Sequence, residues 1–128
     1  SIGKAEKGVE KLHVTAREAS KQSRRFFIPQ VTDVANTSKV VELIAQHDLV
    51  LVFHESATSK VSEIVTRKYY ESQNVMIIIG PEGGITNEEV ELFKSAGAKV
   101  ALMGRPILRS AHAGLAAMSA VNALIKVW

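Results

Sequence analysis

The 128-residue sequence contains no cysteine, which excludes disulfide bonds, thiolate metal ligands and a cysteine nucleophile. Its longest uninterrupted apolar runs, residues 49–53 and 75–79, are five residues long, far short of the ~20 needed to cross a bilayer. The four histidines follow no H-E-x-x-H or similar zinc-ligand spacing, so the sequence predicts no metal site. The absence of cysteine also suits a cytoplasmic protein, which is our expectation.

The composition is that of one globular domain. The apolar fraction is 46% and the charged fraction 23%, so disorder is not expected. Charge is unevenly distributed, because residues 1–25 carry seven basic and three acidic side chains, whereas the remainder carries nine basic and ten acidic ones. A basic segment of this kind either contacts a polyanion such as RNA or forms the solvated face of a helix. The candidate RNA contacts are Arg17, Lys21, Arg24 and Arg25.

Hydrophobic spacing predicts an alternation of strands and helices. In residues 9–23, apolar and small side chains recur every three or four positions, which predicts an amphipathic helix. The largely apolar segments 49–53, 75–79 and 99–103 predict strands that are buried on both faces, as in a parallel sheet. Segment 26–31 contains a proline and predicts an edge strand or a turn.

Helices are predicted between and after these strands. Thr86 and Glu89 have the spacing of a capping box, and Gly97 is placed to end the helix that this box begins. The predicted helices are residues 40–44 after the cap-like segment 36–38, residues 58–72, residues 86–96, and a last helix from Ser110. The pattern indicates an α/β fold in which helices flank a parallel sheet.

The last predicted helix, residues 110–127, is apolar around nearly its whole circumference and is rich in alanine. A chain of this size cannot easily cover such a helix on all sides. Self-association, most often as a two-fold homodimer, therefore explains the composition. A central helix in a monomer is the alternative.

The most specific local motif is GPEGGIT, residues 80–86, between a predicted buried strand and a capped helix. Ligands of open α/β sheets bind beyond the carboxyl ends of the strands, where this turn lies. Gly83 and Gly84 permit positive φ and leave the backbone amides accessible. The motif is not a Walker A loop, and Glu82 would repel a polyphosphate, so an uncharged or cationic ligand is predicted. A tight turn that needs glycine for structural reasons alone is the alternative.

Two further turns follow predicted strands. In MGRPILRS, residues 103–110, Ile107 and Leu108 place apolar bulk in a loop, which suits a wall against a flat ring or a small local core. Arg109 directly precedes the last predicted helix and can hold a phosphate or stabilise developing negative charge. The turn FHESA, residues 53–57, ends the first buried strand. We predict that the three turns form one pocket.

In order along the chain, these motifs resemble those of the ribosomal RNA small subunit methyltransferase E family, which belongs to the SPOUT superfamily of trefoil-knotted methyltransferases. Segment EASKQSRRFFIPQV (18–31) is similar to the family's Glu-Ala-x-x-Gln-Ser-x-Arg and Ile-Pro elements, and LVLVFHESA (49–57) to its strand and turn. With GPEGGIT and MGRPILRS, four ordered motifs cover the chain from about Lys11. Ala111 stands where the family's Leu-Arg-Thr-Glu-Thr-Ala motif has glutamate.

The resemblance implies a SPOUT-type α/β domain with a C-terminal knot. It also implies methyl transfer from S-adenosylmethionine to N3 of a uridine in 16S ribosomal RNA of the small ribosomal subunit. The cofactor-binding residues that it implies are Phe53, His54, Gly80, Gly83, Leu102, Met103, Gly104, Ile107 and Leu108. Family members also carry an upstream PUA-like RNA-binding barrel and a first strand–helix unit, so we expect residues 1–128 to be the C-terminal part of a longer protein.

Methylation at N3 requires loss of the N3 proton, and the negative charge that develops spreads over O2 and O4 of the uracil. Arg109 is the predicted catalytic residue that stabilises this charge, and Glu82 and His112 are the candidate proton acceptors. Two other functions are compatible with the same fold. One is a SPOUT ribose 2′-O-methyltransferase of transfer or ribosomal RNA, and the other is a non-catalytic RNA-binding or dimerisation module.

Overall fold

The computed structural model describes residues 12–17, 30–66, 74–80, 84–102 and 113–125. Within these ranges the strands are β1 Leu12–Arg17, β2 Gln30–Val34, β3 Leu49–Phe53, β4 Val75–Ile79 and β5 Lys99–Ala101. The helices are α1 Thr37–Ile44, α2 Val61–Ile64, α3 Asn87–Ala96 and α4 Ala113–Ile125. Strands and helices alternate from β2 onward, which confirms the predicted α/β class.

The described strands form one mixed sheet in the order β2-β1-β4-β3-β5. Strand β3 runs parallel to both β4 and β5, so the parallel arrangement predicted for residues 49–53, 75–79 and 99–103 is confirmed. Strand β1 runs antiparallel to both β2 and β4. The prediction of a wholly parallel sheet is therefore wrong for β1 and β2. The trefoil knot implied by the resemblance stays a prediction.

The helix predicted over residues 9–23 is wrong for residues 12–17, which form β1. This segment pairs with a strand on each side, so the sheet satisfies its backbone hydrogen bonds. Its side chains alternate between the two faces of the sheet, with Leu12 and Val14 on one face and Thr15 and Arg17 on the other. The remainder of the predicted helix lies outside the described residues.

Helices cover both faces of the parallel strands. On one face, Leu51 and Ile77 belong to a core that includes α4 and residues around α2. On the other face, Val52 and Ile78 belong to a core that includes α1 and α3. All ten residues of β3 and β4 are buried, which is the reason that both strands are apolar throughout.

Helix α3 begins and ends as the sequence predicts, whereas α1 ends at Ile44 as predicted but begins at Thr37, within the cap-like segment. The side chain of Asn36 accepts hydrogen bonds from the first backbone amides of α1. Thr86 and Glu89 form the predicted capping box of α3, and Gly97 ends that helix in the left-handed conformation at φ +118°. These local signals fix where α1 and α3 lie relative to the sheet.

Other boundaries differ from the predictions. The helix predicted over residues 58–72 ends at Ile64, because Val65 leaves the helical region at ψ 88° and buries its side chain in the core. Residues 67–72 lie outside the described residues. Strand β5 ends at Ala101, and Leu102 makes an isolated parallel bridge to Lys60. Segment 26–31 contributes residues 30 and 31 to the edge strand β2, as predicted.

Helix α4 has one covered side and one open side. Ala117, Met118 and Val121 are buried in the core beneath it. A Cβ atom added to Gly114 would clash with Oγ1 of Thr15, so α4 approaches β1 closely at this point. The opposite side of the helix is exposed and comprises Leu115, Ala116, Ser119, Ala120 and Ala123.

Candidate functional site

The carboxyl ends of the three parallel strands lie side by side. Phe53, the last residue of β3, is in register with Ile79 of β4 and with Ala101 of β5. The three predicted turns, residues 53–57, 80–86 and 103–110, each begin at or within two residues of one of these strand ends. This edge is the usual ligand-binding position in α/β folds, and a single pocket formed by the three turns stays a prediction.

His54 connects the three strand ends. Its backbone N–H donates to the carbonyl of Ala101 at 3.2 Å. Its Nε2 lies 2.9 Å from the carbonyl oxygen of Ile85, and its Nδ1 accepts a hydrogen bond from the backbone N–H of Ser56 at 3.1 Å. A carbonyl oxygen can only accept, so these partners assign a neutral imidazole with its proton on Nε2. Neither Ser56 nor Ile85 is among the site residues that the sequence predicts.

The glycine loop is narrow where it joins the sheet. A Cβ atom on Gly80 would lie 2.5 Å from Cγ1 and 2.9 Å from the backbone nitrogen of Ile85. No other residue fits at Gly80 without displacing Ile85, which is itself buried. Gly84 has φ +86°, in agreement with the predicted need for positive φ there. Glu82 and Gly83 lie outside the described residues.

The turn after β5 begins with an exposed apolar side chain. Leu102 is 38% exposed, and its backbone N–H donates to the carbonyl of Ser59 at 2.8 Å. Phe53, in contrast, is 3% exposed and packs in the core on the α4 side of the sheet. Phe53, His54, Gly80 and Leu102 are thus the implied cofactor-binding residues that the structure describes, and all lie at this edge.

The remaining predicted site residues lie outside the described residues, and their roles stay predictions. They are Glu82, Gly83, Met103, Gly104, Ile107, Leu108, Arg109 and His112. The described part of the edge offers backbone groups, a neutral imidazole and apolar side chains.

Arg17 does not lie on an exposed helix face, which was the basis for predicting it as an RNA contact. It ends β1 opposite Val75, at the amino ends of β3 and β4, and its side chain is 1% exposed. Burial lowers the pKa of the Arg17 guanidinium, and the negative charge of Asp48 opposes this shift. The structure therefore gives Arg17 a place in the interior. Lys21, Arg24 and Arg25 lie outside the described residues.

A groove of about 260 Å³ adjoins the turn that follows β3. The residues that line it are Ser56, Ala57, Thr58, Ser59, Val90, Glu91, Lys94 and Val100. Across the described ranges, no three histidine, aspartate or glutamate side chains are grouped so as to hold a metal ion. None of the described helices combines the length and apolar character needed to cross a membrane.

Known proteins match this sequence over most of its length. A family described as RNA methyltransferase domain matches residues 1–122. The ribosomal RNA small subunit methyltransferase E of Mycobacterium bovis is 34% identical over 129 residues, which cover 98% of this chain and 48% of that protein. The protein of the same name from Bacillus subtilis is 32% identical over 124 residues, covering 93% of this chain and 48% of that protein.

A more distant protein of that name, from Rickettsia conorii, is 29% identical over 117 residues, covering 91% of this chain and 47% of that protein. The chain thus spans about half the length of the curated relatives that it matches. These matches confirm the resemblance that the four ordered motifs predicted. By the match over residues 1–122, the chain belongs to the RNA methyltransferase domain family.

Proposed function

We propose that the chain transfers a methyl group from S-adenosylmethionine to N3 of a uridine in 16S ribosomal RNA of the small ribosomal subunit, in the cytoplasm. The observation that carries this proposal is the meeting of three parallel strand ends, at Phe53, Ile79 and Ala101, in a chain of the RNA methyltransferase domain family. The name shared by the relatives supports small-subunit ribosomal RNA as the substrate. The methyl donor and the N3 position are inferred from the motif resemblance.

The donor site in this proposal is the edge at which His54, Gly80 and Leu102 lie. Gly83, Met103, Gly104, Ile107 and Leu108 complete it in the proposal. The bound donor supplies an electrophilic methyl group on a cationic sulfur. In this proposal, the chain holds the cation with backbone groups and apolar side chains of the strand-end turns.

Arg109 and a nearby base carry the reaction at the uracil in this proposal. Glu82 or His112 takes the N3 proton of uridine, and N3 forms a bond to the methyl carbon while the carbon–sulfur bond of the donor breaks and S-adenosylhomocysteine leaves as a neutral thioether. The guanidinium of Arg109 stabilises the negative charge on O2 and O4 while this exchange occurs. Substitution of Arg109 by alanine should lower kcat about 10²- to 10³-fold and leave RNA affinity nearly unchanged. Weaker RNA binding at an unchanged rate would instead assign Arg109 to a phosphate contact.

The exposed side of α4 supports a two-fold homodimer as part of the proposal. Ala120 lies on this side, and replacing it by glutamate would place a charge in the interface. Ala117 on the same helix is fully buried within one chain, so a substitution there would report on folding instead. Sedimentation should show a dimer for the parent chain and for the exposed control Ala45→Glu, and a monomer for Ala120→Glu. A monomeric parent chain at high concentration would contradict the dimer.

Mass analysis of modified nucleosides tests the proposed reaction. The protein and S-adenosylmethionine are incubated with small ribosomal subunits that lack the modification, and their RNA is digested to nucleosides. The proposal predicts a uridine methylated on the base at N3. A ribose 2′-O-methyl nucleoside would support the ribose methyltransferase alternative, and donor binding without any methylation would support the non-catalytic module.

A further inference from the structure

We propose that His54 is a positioning residue, whose neutral imidazole holds the end of the Gly80–Ile85 loop against the turn that follows β3. This proposal rests on the proposed function, because it takes the loop to be part of the methyl-donor site. It assigns the ring of His54 to the support of that site, and it leaves contacts with the donor to the loop itself.

Two independent contacts converge on Ile85. Its backbone nitrogen and side chain pack against Gly80 so closely that a Cβ atom there would clash, which fixes the two ends of the loop together. Its carbonyl accepts the hydrogen bond from Nε2 of His54 at 2.9 Å, which fixes this end to the neighbouring turn. Without the imidazole, the steric contact remains but the loop has no side-chain bond to the β3 turn among the described residues.

The other ring nitrogen holds His54 itself in place. Nδ1 accepts from the backbone N–H of Ser56 at 3.1 Å and lies 2.7 Å from Oγ of the same serine. The ring is therefore oriented by its own turn and presents Nε2–H across the strand ends. An arrangement in which one ring nitrogen is fixed and the other acts is typical of histidines that have a defined tautomer.

The other two described histidines are arranged in the opposite way. Nδ1 of His13 lies 2.7 Å from a carboxylate oxygen of Asp33, and Nδ1 of His47 lies 2.7 Å from the carbonyl oxygen of Leu43. Both of these Nδ1 atoms face oxygen acceptors, so they carry a proton, whereas Nδ1 of His54 faces a backbone donor. A spectrum that distinguishes Nδ1–H from Nε2–H therefore separates His54 from His13 and His47, and these two histidines serve as internal references.

Three substitutions separate positioning from direct contact. In His54→Gln, the amide nitrogen reaches the place of Nε2 and can still donate to Ile85. In His54→Asn, the shorter side chain reaches only the place of Nδ1, and in His54→Ala both bonds are lost. Loss of one hydrogen bond to the loop should weaken S-adenosylmethionine binding about fivefold to tenfold.

Calorimetric titration with S-adenosylmethionine measures the affinity of each variant for the donor. We expect affinity within about twofold of the parent for His54→Gln and about fivefold to tenfold weaker for His54→Asn and His54→Ala. Circular dichroism should show the parental fold in all three. Equal affinities of the Gln and Asn variants, whether both parental or both weak, would overturn the proposal.

Two measurements on the protein without S-adenosylmethionine test the role of His54 independently of the proposed function. Long-range ¹H–¹⁵N correlation spectra of the parent should show the Nε2–H tautomer for His54, and an Nδ1–H tautomer would overturn the proposal. Amide relaxation at Gly84 should report greater mobility in His54→Asn than in His54→Gln, and equal mobility would also overturn it. If the parent fails to bind S-adenosylmethionine, the proposed function fails, while these two spectra still decide whether His54 positions the loop.

Discussion

The two halves of the sheet differ in how they are covered. In the parallel half, β3 and β4 lie between helices on both faces, and all of their residues are buried. In the antiparallel half, β2 is an edge strand in which four of five residues are exposed. The parallel half therefore supplies most of the apolar contacts, and the strand-end turns of the candidate site are built on this more stable part. The comparison indicates that the candidate site is built on the region whose strands are more deeply buried.

The largest expected effect tests this difference in burial. Ile77 in β4 is fully buried, so Ile77→Ala should lower the free energy of unfolding by about 2–5 kcal/mol through lost contacts and a cavity. Val31 in β2 is 55% exposed, so Val31→Ala should change it by less than about 0.5 kcal/mol. Urea denaturation measures both. Similar losses in the two variants would contradict the assignment of stability to the parallel half.

The parallel half could be predicted from sequence because its signals are local. A strand buried on both faces is an unbroken apolar run, and the helix that Thr86 and Glu89 cap and Gly97 ends carries its boundaries within its own residues. The antiparallel strand β1 could not be predicted in the same way. Leu12 and Ala16 are four residues apart, a spacing that places two side chains on one face of a helix and equally on one face of a strand.

A second prediction concerns the buried guanidinium at the amino ends of the parallel strands. Arg17→Ala removes a side chain that is 1% exposed together with the packing of its apolar stem, so it should lower the free energy of unfolding by about 2–3 kcal/mol. Arg17→Met keeps the apolar stem and should cost less. The exposed control Lys39→Ala should be nearly neutral.

RNA affinity distinguishes a folding role of Arg17 from a direct contact with RNA. A buried residue contributes to folding, so RNA affinity measured below the unfolding transition should be unchanged in Arg17→Met. A loss of RNA affinity and of its salt dependence, with stability retained, would restore the interpretation of Arg17 as a phosphate contact.

The third prediction tests the contact between α4 and the antiparallel half. Alanine normally stabilises a helix relative to glycine by up to about 1 kcal/mol. Gly114→Ala should instead destabilise the chain by about 1–3 kcal/mol, because the new Cβ atom meets Oγ1 of Thr15. Thermal denaturation gives the sign of the change. The double variant with Thr15→Ala should recover most of the loss, and a stabilising Gly114→Ala would show that α4 does not approach β1 closely.

The smallest expected effect concerns the cap of α3. Thr86 accepts a hydrogen bond from the backbone N–H of Glu89, so Thr86→Ala should lower the unfolding free energy by about 1 kcal/mol. Thr32 is exposed on β2, and Thr32→Ala should change it by no more than about 0.5 kcal/mol. Guanidinium denaturation measures the loss of unfolding free energy at the helix cap and at the exposed strand position. An equal loss in both would assign no particular role to the cap.

The candidate site was predictable in position but not in its internal contacts. The motifs that follow β3 and β4 indicated the carboxyl edge of the parallel strands, and the resemblance singled out His54. The hydrogen bond from His54 to Ile85 joins residues 31 positions apart, and it depends on how two turns meet in space. No local pattern encodes such a contact, so Ser56 and Ile85 emerged only from the structure.

The most direct test of the account is to map where the methyl donor binds. Backbone amide chemical shifts of the ¹⁵N-labelled chain are followed during titration with S-adenosylmethionine. The account predicts that the largest saturable changes occur at the carboxyl ends of the parallel strands, at His54, Gly80 and Leu102, with little change at Asp48 and Asn74 at the opposite edge. Changes centred on Asp48 and Asn74, or none at saturating donor, would contradict it.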